Sequence, residues 1–302
     1  MSHMGQQTSS SQKFQYSEFL QEPTPAAFLL RSRWANKGST VLQLTLLTLR
    51  LLLDRTAVAD RAAQRLPPSL NVPLVEAGTE PRMYTLLSFD LYGTLINTPP
   101  ANAKAFGAIV RDAKAHHVEV DAFYKFWEER NISHYLEPYR SYKQICRTSL
   151  QETFEHFGIR SGNPDLIEHY FSVFGEMQLY SDVKETLRAL KGRYRLAIVS
   201  NIDDDLFQST PLDIDLDLVC TAERARGYKP DGTLFRYLLS RADLPVDAIL
   251  HSGQSQLTDL VGGKPLGLTI AWINRRGLTL RDDVPRPDHI LPDVASLIRL
   301  LG

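Results

Sequence analysis

The chain has 302 residues, is 43% hydrophobic and 23% charged, and carries a formal net charge of -1. That length holds one or two domains with a real core, and the composition is ordinary for a globular protein. Near-neutral charge removes any general pull toward nucleic acid or an anionic membrane. Two distant cysteines, Cys146 and Cys220, argue against a disulfide framework or a zinc cluster and fit a reducing compartment.

Residues 1–82 differ in character from the rest of the chain. Residues 1–13 are polar and rich in Ser and Gln, a composition that disfavours a packed core. Val41 to Leu53 is strongly apolar, but it is too short to cross a membrane and is interrupted by Arg50. It starts too late for a secretory signal and lacks a small-residue cleavage site close behind it. The run reads as an accessory amphipathic helix before a Pro-rich linker at Pro67, Pro68 and Pro73. An excess of Arg in this stretch keeps organelle targeting as an alternative to a cytoplasmic location. The first convincing strand comes after Met83.

That strand is Leu86 to Phe89, short and apolar, and it stops at Asp90-Leu91-Tyr92-Gly93-Thr94. A carboxylate at the carboxyl end of a buried strand is rigidly held and partly desolvated, which suits a nucleophile or a metal ligand. Taken alone, Asp90 equally fits a turn cap. From about Ala101 to Tyr180 helical periodicity dominates: Phe106, Ile109 and Val110; Phe123, Phe126 and Trp127; Leu150, Phe154 and Phe157. Asp182 to Leu190 reads as an amphipathic helix, and Arg195 to Val199 as a strand ending in Ser200-Asn201. Leu216 to Cys220 reads as a strand, Gly232 to Arg241 as a helix, and Ala248 to His251 as a strand. Asp259 falls near the start of another helix. Leu268 to Ile273 reads as a strand and Val294 to Leu301 as a closing helix. Such alternation predicts a parallel sheet, because each crossover needs a helix to return. The expected fold is α/β: a Rossmann-like, doubly wound parallel core with an inserted helical cap. The core covers 83–100 and 181–302 and the cap 101–180, after a poorly defined, partly disordered extension at 1–82.

The strand ends bring polar residues toward one sheet edge: Asp90, Ser200, Asn201, Lys229 and Asp259. Two carboxylates, one ammonium and a Ser/Asn pair form a covalent-catalysis set, in which Lys229 would keep Asp90 ionised. Each also has a plainer reading. Lys229-Pro230 fits a solvated helix start, while Asp259 and Ser200-Asn201 fit capping positions. His251 fits a core histidine, and Asp203, Asp204 and Asp205 fit a solvated helix N-terminus. Tyr135, Tyr139, Tyr142 and Arg140 would either line a cavity or pack the cap onto the core.

In order and rough spacing, DLYGTL at Asp90, VSN at Ser200-Asn201, YKPD at Lys229 and the segment ending in Asp259 resemble the haloacid dehalogenase superfamily. The resemblance covers Met83 to Gly302; DLYGTL and AWINRRG at Ala271 to Gly277 resemble its type II 2-haloacid dehalogenase subgroup in particular. It implies that Asp90 attacks the substrate and that water hydrolyses the resulting enzyme ester. Thr94, Ser200 and Asn201 would bind the substrate anion, Lys229 would hold nucleophile and substrate charge, and Asp259 would position water or a metal. Tyr92, Gln254, Ser255 and Arg130 are further candidates for substrate contact.

Departures from the family pattern are informative. Tyr92 stands where the phosphatases carry a general-acid Asp, and a phenol with an ordinary pKa near 10 is a poor substitute. Gln254 follows Gly253 where the magnesium-dependent members place an acid, which leaves fewer anionic ligands. Glu128 follows Trp127 where the subgroup supplies an Arg for a substrate carboxylate. Arg130 projects differently from that position, and Phe235 replaces a Tyr near the site. The expectation is a cofactor-free hydrolase acting on the carbon–halogen bond of a small 2-haloacid or related metabolite. A magnesium-dependent phosphatase, with Asp90 and Asp259 as ligands, is one alternative; a catalytically degenerate binding protein is another. A small-molecule substrate is the expected partner, with neither nucleic acid nor a membrane span, and a homodimer stays open.

Overall fold

The computed structural model describes Tyr84–Gly302, so the expectations for residues 1–82 fall outside the described residues. At its centre is a six-stranded sheet, all parallel, in the order β5-β4-β1-β6-β7-β8. Strand β1 (Leu86–Phe89) is buried at every position, as a strand covered on both faces must be. It leads into a two-residue strand, β2 (Ile96–Asn97). Helices α1 (Pro99–Asp112), α2 (Val120–His134), α3 (Tyr142–His156) and α4 (Glu168–Ser172) then form a helical insertion. It ends at β3 (Gln178–Leu179), which pairs antiparallel with β2, so one short ribbon carries the chain both out and back. Neither strand of this ribbon was anticipated, because two residues are too few to show a period.

The crossovers then run in regular order. Helix α5 (Val183–Lys191) precedes β4 (Arg195–Ser200); α6 (Asp204–Ser209) precedes β5 (Leu218–Thr221); and α7 (Thr233–Ala242) precedes β6 (Ile249–Gly253). After β7 (Thr269–Ile273) come the edge strand β8 (His289–Leu291), also unanticipated, and α8 (Ser296–Leu301). The α/β expectation therefore holds, with small corrections at element ends. Strand β5 begins at Leu218 rather than Leu216, because Asp217 is occupied in bonding to Leu196, with its carboxylate accepting from Leu196 N at 2.7 Å. The last helix begins at Ser296, where the Asp293 carboxylate accepts from its N–H at 2.8 Å.

The chain proceeds from β1 to β4 and β5 on one side and to β6, β7 and β8 on the other. Connections therefore diverge around β1, which opens a crevice at the carboxyl ends of the central strands, where α/β sheets bind ligands. Among the described residues, no helix is long and apolar enough to cross a membrane.

Candidate active site

Asp90 follows β1 at the carboxyl edge, 8% exposed. Its backbone N–H donates to Ser252 O at 2.9 Å, so the extension of β1 along β6 fixes where the carboxylate starts. Gly93 turns the chain just beyond, at φ +86°, which glycine adopts without strain. That turn brings Thr94 back over the strand end. Thr94 Oγ1 donates to Asp90 Oδ2 at 2.7 Å and itself accepts from Gln254 N at 3.0 Å.

Lys229 Nζ donates to Asp90 Oδ1 at 2.8 Å and to Asp259 Oδ1 at 2.7 Å. It is 1% exposed, which overturns the plain reading of a solvated helix start; α7 begins only at Thr233. Its backbone is clamped by Asn201, whose Oδ1 accepts from Lys229 N at 2.8 Å while its Nδ2 donates to Lys229 O at 2.9 Å. Both ends of the Asn201 amide are thus used to place Lys229. Ser200 lies beside it at the end of β4, 1% exposed.

Asp259 is fully buried and its carboxylate is saturated. Besides Lys229, it accepts from Ser255 N at 3.0 Å and lies 3.3 Å from His251 Nε2. Ser255 opens the turn that carries it, its Oγ accepting from Thr258 N at 3.1 Å. Gly253 makes room: a Cβ there would come within 2.2 Å of Asp259 Oδ2. His251 completes a buried chain, with Nδ1 3.0 Å from Ser88 Oγ, its register partner on β1. Asp259 Oδ1 thus meets the Lys229 ammonium and the His251 ring, and its Oδ2 meets the Ser255 N–H.

One ammonium serves two carboxylates, and they do not share it equally. Burial opposes the Asp259 charge, but Lys229, His251 and the bonds they make overcome it and hold the pKa well below the ordinary aspartate range. At Asp90 burial dominates over Lys229, the Asp259 charge adds to it, and the pKa is raised. Lys229 is pushed up by its two partners against its own burial.

The remaining candidates divide. Tyr92 points its hydroxyl at Thr210 Oγ1, 2.8 Å away, and packs its ring edge-on against Phe174. Burial raises its pKa above the ordinary phenol value, so it is a still weaker acid than composition implies. Gln254 stays at the edge through its backbone bond to Thr94, and its Oε1 accepts from Arg276 Nη2 at 2.9 Å. Arg130 is not brought to Asp90 by any bond: its Nε donates to Glu152 Oε2 at 2.6 Å within the insertion. Phe235 is fully buried, edge-on to His251. Asp203 is corrected too. It is 4% exposed, and its two oxygens accept from Tyr142 N and Lys143 N at 2.8 and 3.0 Å, tying the start of α3 to the sheet. Tyr135 and Tyr139 stack on Tyr228, whose hydroxyl donates to Arg140 O at 2.8 Å, so these residues pack insertion against core.

Sequence reasoning missed two groups. Arg276 stands exposed past the end of β7, bonded to Gln254; applying the strand-end argument to that strand would have found it. Its neighbour Arg275 is structural, bonding Asp182 through both Nη atoms. Tyr124 and Asn102 form a bonded chain to Glu128, and no sequence signal marks them.

Magnesium does not fit this donor set. One oxygen of Asp90 and one of Asp259 are taken by Lys229, the other Asp259 oxygen by Ser255, and Gln254 offers a neutral oxygen that already faces a guanidinium. Among the described residues, no group of three or more His, Cys, Asp or Glu side chains is arranged to hold a metal.

The sequence pattern of the haloacid dehalogenase-like hydrolases matches residues 84–267. An (S)-2-haloacid dehalogenase 4A of Burkholderia cepacia is 27% identical over 201 residues, spanning 63% of this chain and 82% of that protein. The mouse (Mus musculus) haloacid dehalogenase-like hydrolase domain-containing protein 3 is 27% identical over 237 residues, spanning 72% and 93%. Among solved structures, L-2-haloacid dehalogenase from Xanthobacter autotrophicus with covalently bound chloropropionic acid aligns with a TM-score of 0.60. That alignment covers 72% of this chain and 98% of that one at 18% identity, a likeness of fold.

Proposed function

The chain belongs to the haloacid dehalogenase-like hydrolases, and from that premise we propose that it hydrolyses a carbon–halogen bond of a small molecule through an ester on Asp90. The observation that carries the reading is the pairing of Asp90 with Lys229 at 2.8 Å while the hydroxyl two residues on turns away to Thr210. Asp90 has a counter-charge and a hydroxyl donor to orient it, and Tyr92 offers no ready proton to a leaving group. Halide needs none.

In the first step a carboxylate oxygen of Asp90 bonds to the substrate carbon, and the carbon–halogen pair leaves with halide. In the second, water adds to the Asp90 carboxyl carbon, the alcohol departs, and the carboxylate is restored with release of one proton. Lys229 and Thr94 hold the carboxylate in both steps, and Asp259, Asn201 and His251 hold Lys229. Ser200, at the end of β4, is within the same edge and is assigned to substrate contact.

The test is halide release from a panel of 2-haloalkanoates and their amides in EDTA. Wild type should turn over at least one, and Asp90→Asn should lose roughly 10³-fold or more. A single turnover in ¹⁸O-water should place label in the Asp90 carboxylate. Phosphate release from an aryl phosphate only with added magnesium, and no halide from any substrate, would overturn the reading in favour of phosphoryl transfer.

A further inference from the structure

Strand β7 ends at Ile273, and the turn that follows, Asn274 to Gly277, is stapled by its first side chain. Asn274 Oδ1 accepts from Leu278 N at 2.8 Å, and its Nδ2 donates to Leu278 O at 2.9 Å. Gly277 closes the turn at φ +64°, its N–H donating to Asn274 O at 3.2 Å. Inside the turn Arg275 Nε donates to Thr94 O at 3.0 Å, so the turn is bound directly to the residue that orients Asp90. The next residue, Arg276, is exposed, and its Nη2 donates to Gln254 Oε1 at 2.9 Å. The Gln254 side chain lies over Gly93, where an added Cβ would meet Gln254 Nε2 at 3.1 Å. Two hydrogen-bonded routes therefore bring the Arg276 guanidinium to the turn that follows Asp90.

Gln254 is a fixed platform for it. Its backbone N–H donates to Thr94 Oγ1 at 3.0 Å, and its O accepts from the buried Trp272 Nε1 at 3.0 Å. The other cations considered for this site are spent: Lys229 on Asp90 and Asp259, Arg275 on Asp182, and Arg130 on Glu152. Arg276 has no ion pair among the described residues, and Gln254 is its one hydrogen-bond partner there. Its charge favours the ionised form of Glu128, but the two form no ion pair. The N–H groups of Nε and Nη1 therefore remain for a ligand, in the planar fork that matches a carboxylate. Gln254 is a neutral acceptor, so it orients the guanidinium without cancelling its charge.

We propose that Arg276 selects anionic substrates: its free N–H groups receive a substrate carboxylate while the carbon bearing the leaving group stands before Asp90. The counter-charge then comes from the core, on the turn after β7, and not from the insertion, where Arg130 is already paired. A guanidinium makes a charge-assisted, two-pronged contact with a carboxylate that an uncharged amide cannot reproduce. The inference rests on Asp90 being the reacting group, and the experiment separates the two ideas.

2-Chloropropionate and 2-chloropropionamide share a leaving group and differ in charge at the neighbouring position. Wild type should favour the acid in kcat/KM. Arg276→Gln should lower kcat/KM for the acid by about tenfold or more, chiefly through KM, and leave the amide within about twofold. Arg276→Lys, which keeps the charge but loses the fork, should fall between the two. Arg286→Gln removes the same charge from another exposed side chain of the β7–β8 connection and should leave the ratio where it was. An unchanged ratio in Arg276→Gln, an equal shift in Arg286→Gln, or a wild-type preference for the amide overturns the proposal while leaving Asp90 catalysis standing. If neither compound is turned over, the proposal is still decided by binding. Propionate should raise the melting temperature of wild type more than propionamide does, and Arg276→Gln should erase that preference. Equal or reversed stabilisation of wild type, or a preference that survives in Arg276→Gln, sinks it.

Discussion

The catalytic edge and helices α1 and α2 of the insertion treat polar groups in contrary ways. At the edge, each anion is met: Asp90 has an ammonium and a hydroxyl, and Asp259 has the same ammonium, a backbone N–H and an imidazole. On the insertion, Glu128 is met by one hydroxyl, and Asn102 Oδ1 has no partner among the described residues. A saturated edge is preorganised and does not depend on which substrate arrives. The edge is thus complete in itself, while polar groups on α1 and α2 are left to solvent or without a partner among the described residues.

The sharpest way to break the edge is to remove its shared cation. In Lys229→Met two buried carboxylates face each other without compensation, and unfolding by urea should show a loss of about 3–5 kcal/mol at neutral pH. The sign of its pH dependence is fixed. Without the ammonium the folded-state pKa values of Asp90 and Asp259 rise, so the folded protein binds protons more readily than the unfolded chain. The destabilisation should then shrink on acidification and grow as pH rises. Equal stability of Lys229→Met and wild type across pH would mean that the carboxylates do not depend on this ammonium.

How much of this edge was legible in the sequence follows from what parallel strands do. Strands running one way deliver their carboxyl ends to one side, so Asp90, Lys229 and Asp259 could be assembled from strand order alone. What could not be read is how each side chain is spent. Asn201 clamps a backbone 28 residues away, Asp203 caps a helix 61 residues earlier, and Arg275 pairs with Asp182 across 93 residues. Such pairings depend on tertiary distances that no local pattern encodes. Arg130 failed for the same reason: its partner, Glu152, comes from the neighbouring helix α3, 22 residues on.

A second prediction concerns the unequal sharing of Lys229. Asp90 must be ionised to attack, and burial raises its pKa, so the acid limb of kcat/KM should lie above the ordinary aspartate value of about 3.9. In stability terms the raised Asp90 contributes below its unfolded pKa and loses that contribution as pH rises through the folded value. The depressed Asp259 does the reverse, contributing above its unfolded pKa and losing it as pH falls. Because the Asp259 charge pushes Asp90 upward, Asp259→Asn should move the acid limb to lower pH even as it lowers the rate. A limb that stays fixed, or moves up, would show that the two carboxylates are not coupled through this site.

The smallest expected effect separates the edge from its immediate neighbour in sequence. Tyr92 sits two residues from Asp90, yet its hydroxyl bonds Thr210 and its pKa is raised by burial. Were it the proton donor to the leaving group, Tyr92→Phe should cost about 10²-fold or more in kcat, and more for substrates with poor leaving groups. As a packing residue held against Phe174, it should instead cost about 1 kcal/mol of stability from the lost hydrogen bond, with the rate within a few-fold of wild type. The two outcomes are told apart by comparing chloride and bromide substrates. A proton donor helps the poorer leaving group more, so a Phe variant that slows chloride and bromide release equally, or neither, leaves Asp90, Lys229 and Thr94 as the working edge. Selective slowing of chloride would return Tyr92 to the chemistry and move the boundary between edge and insertion.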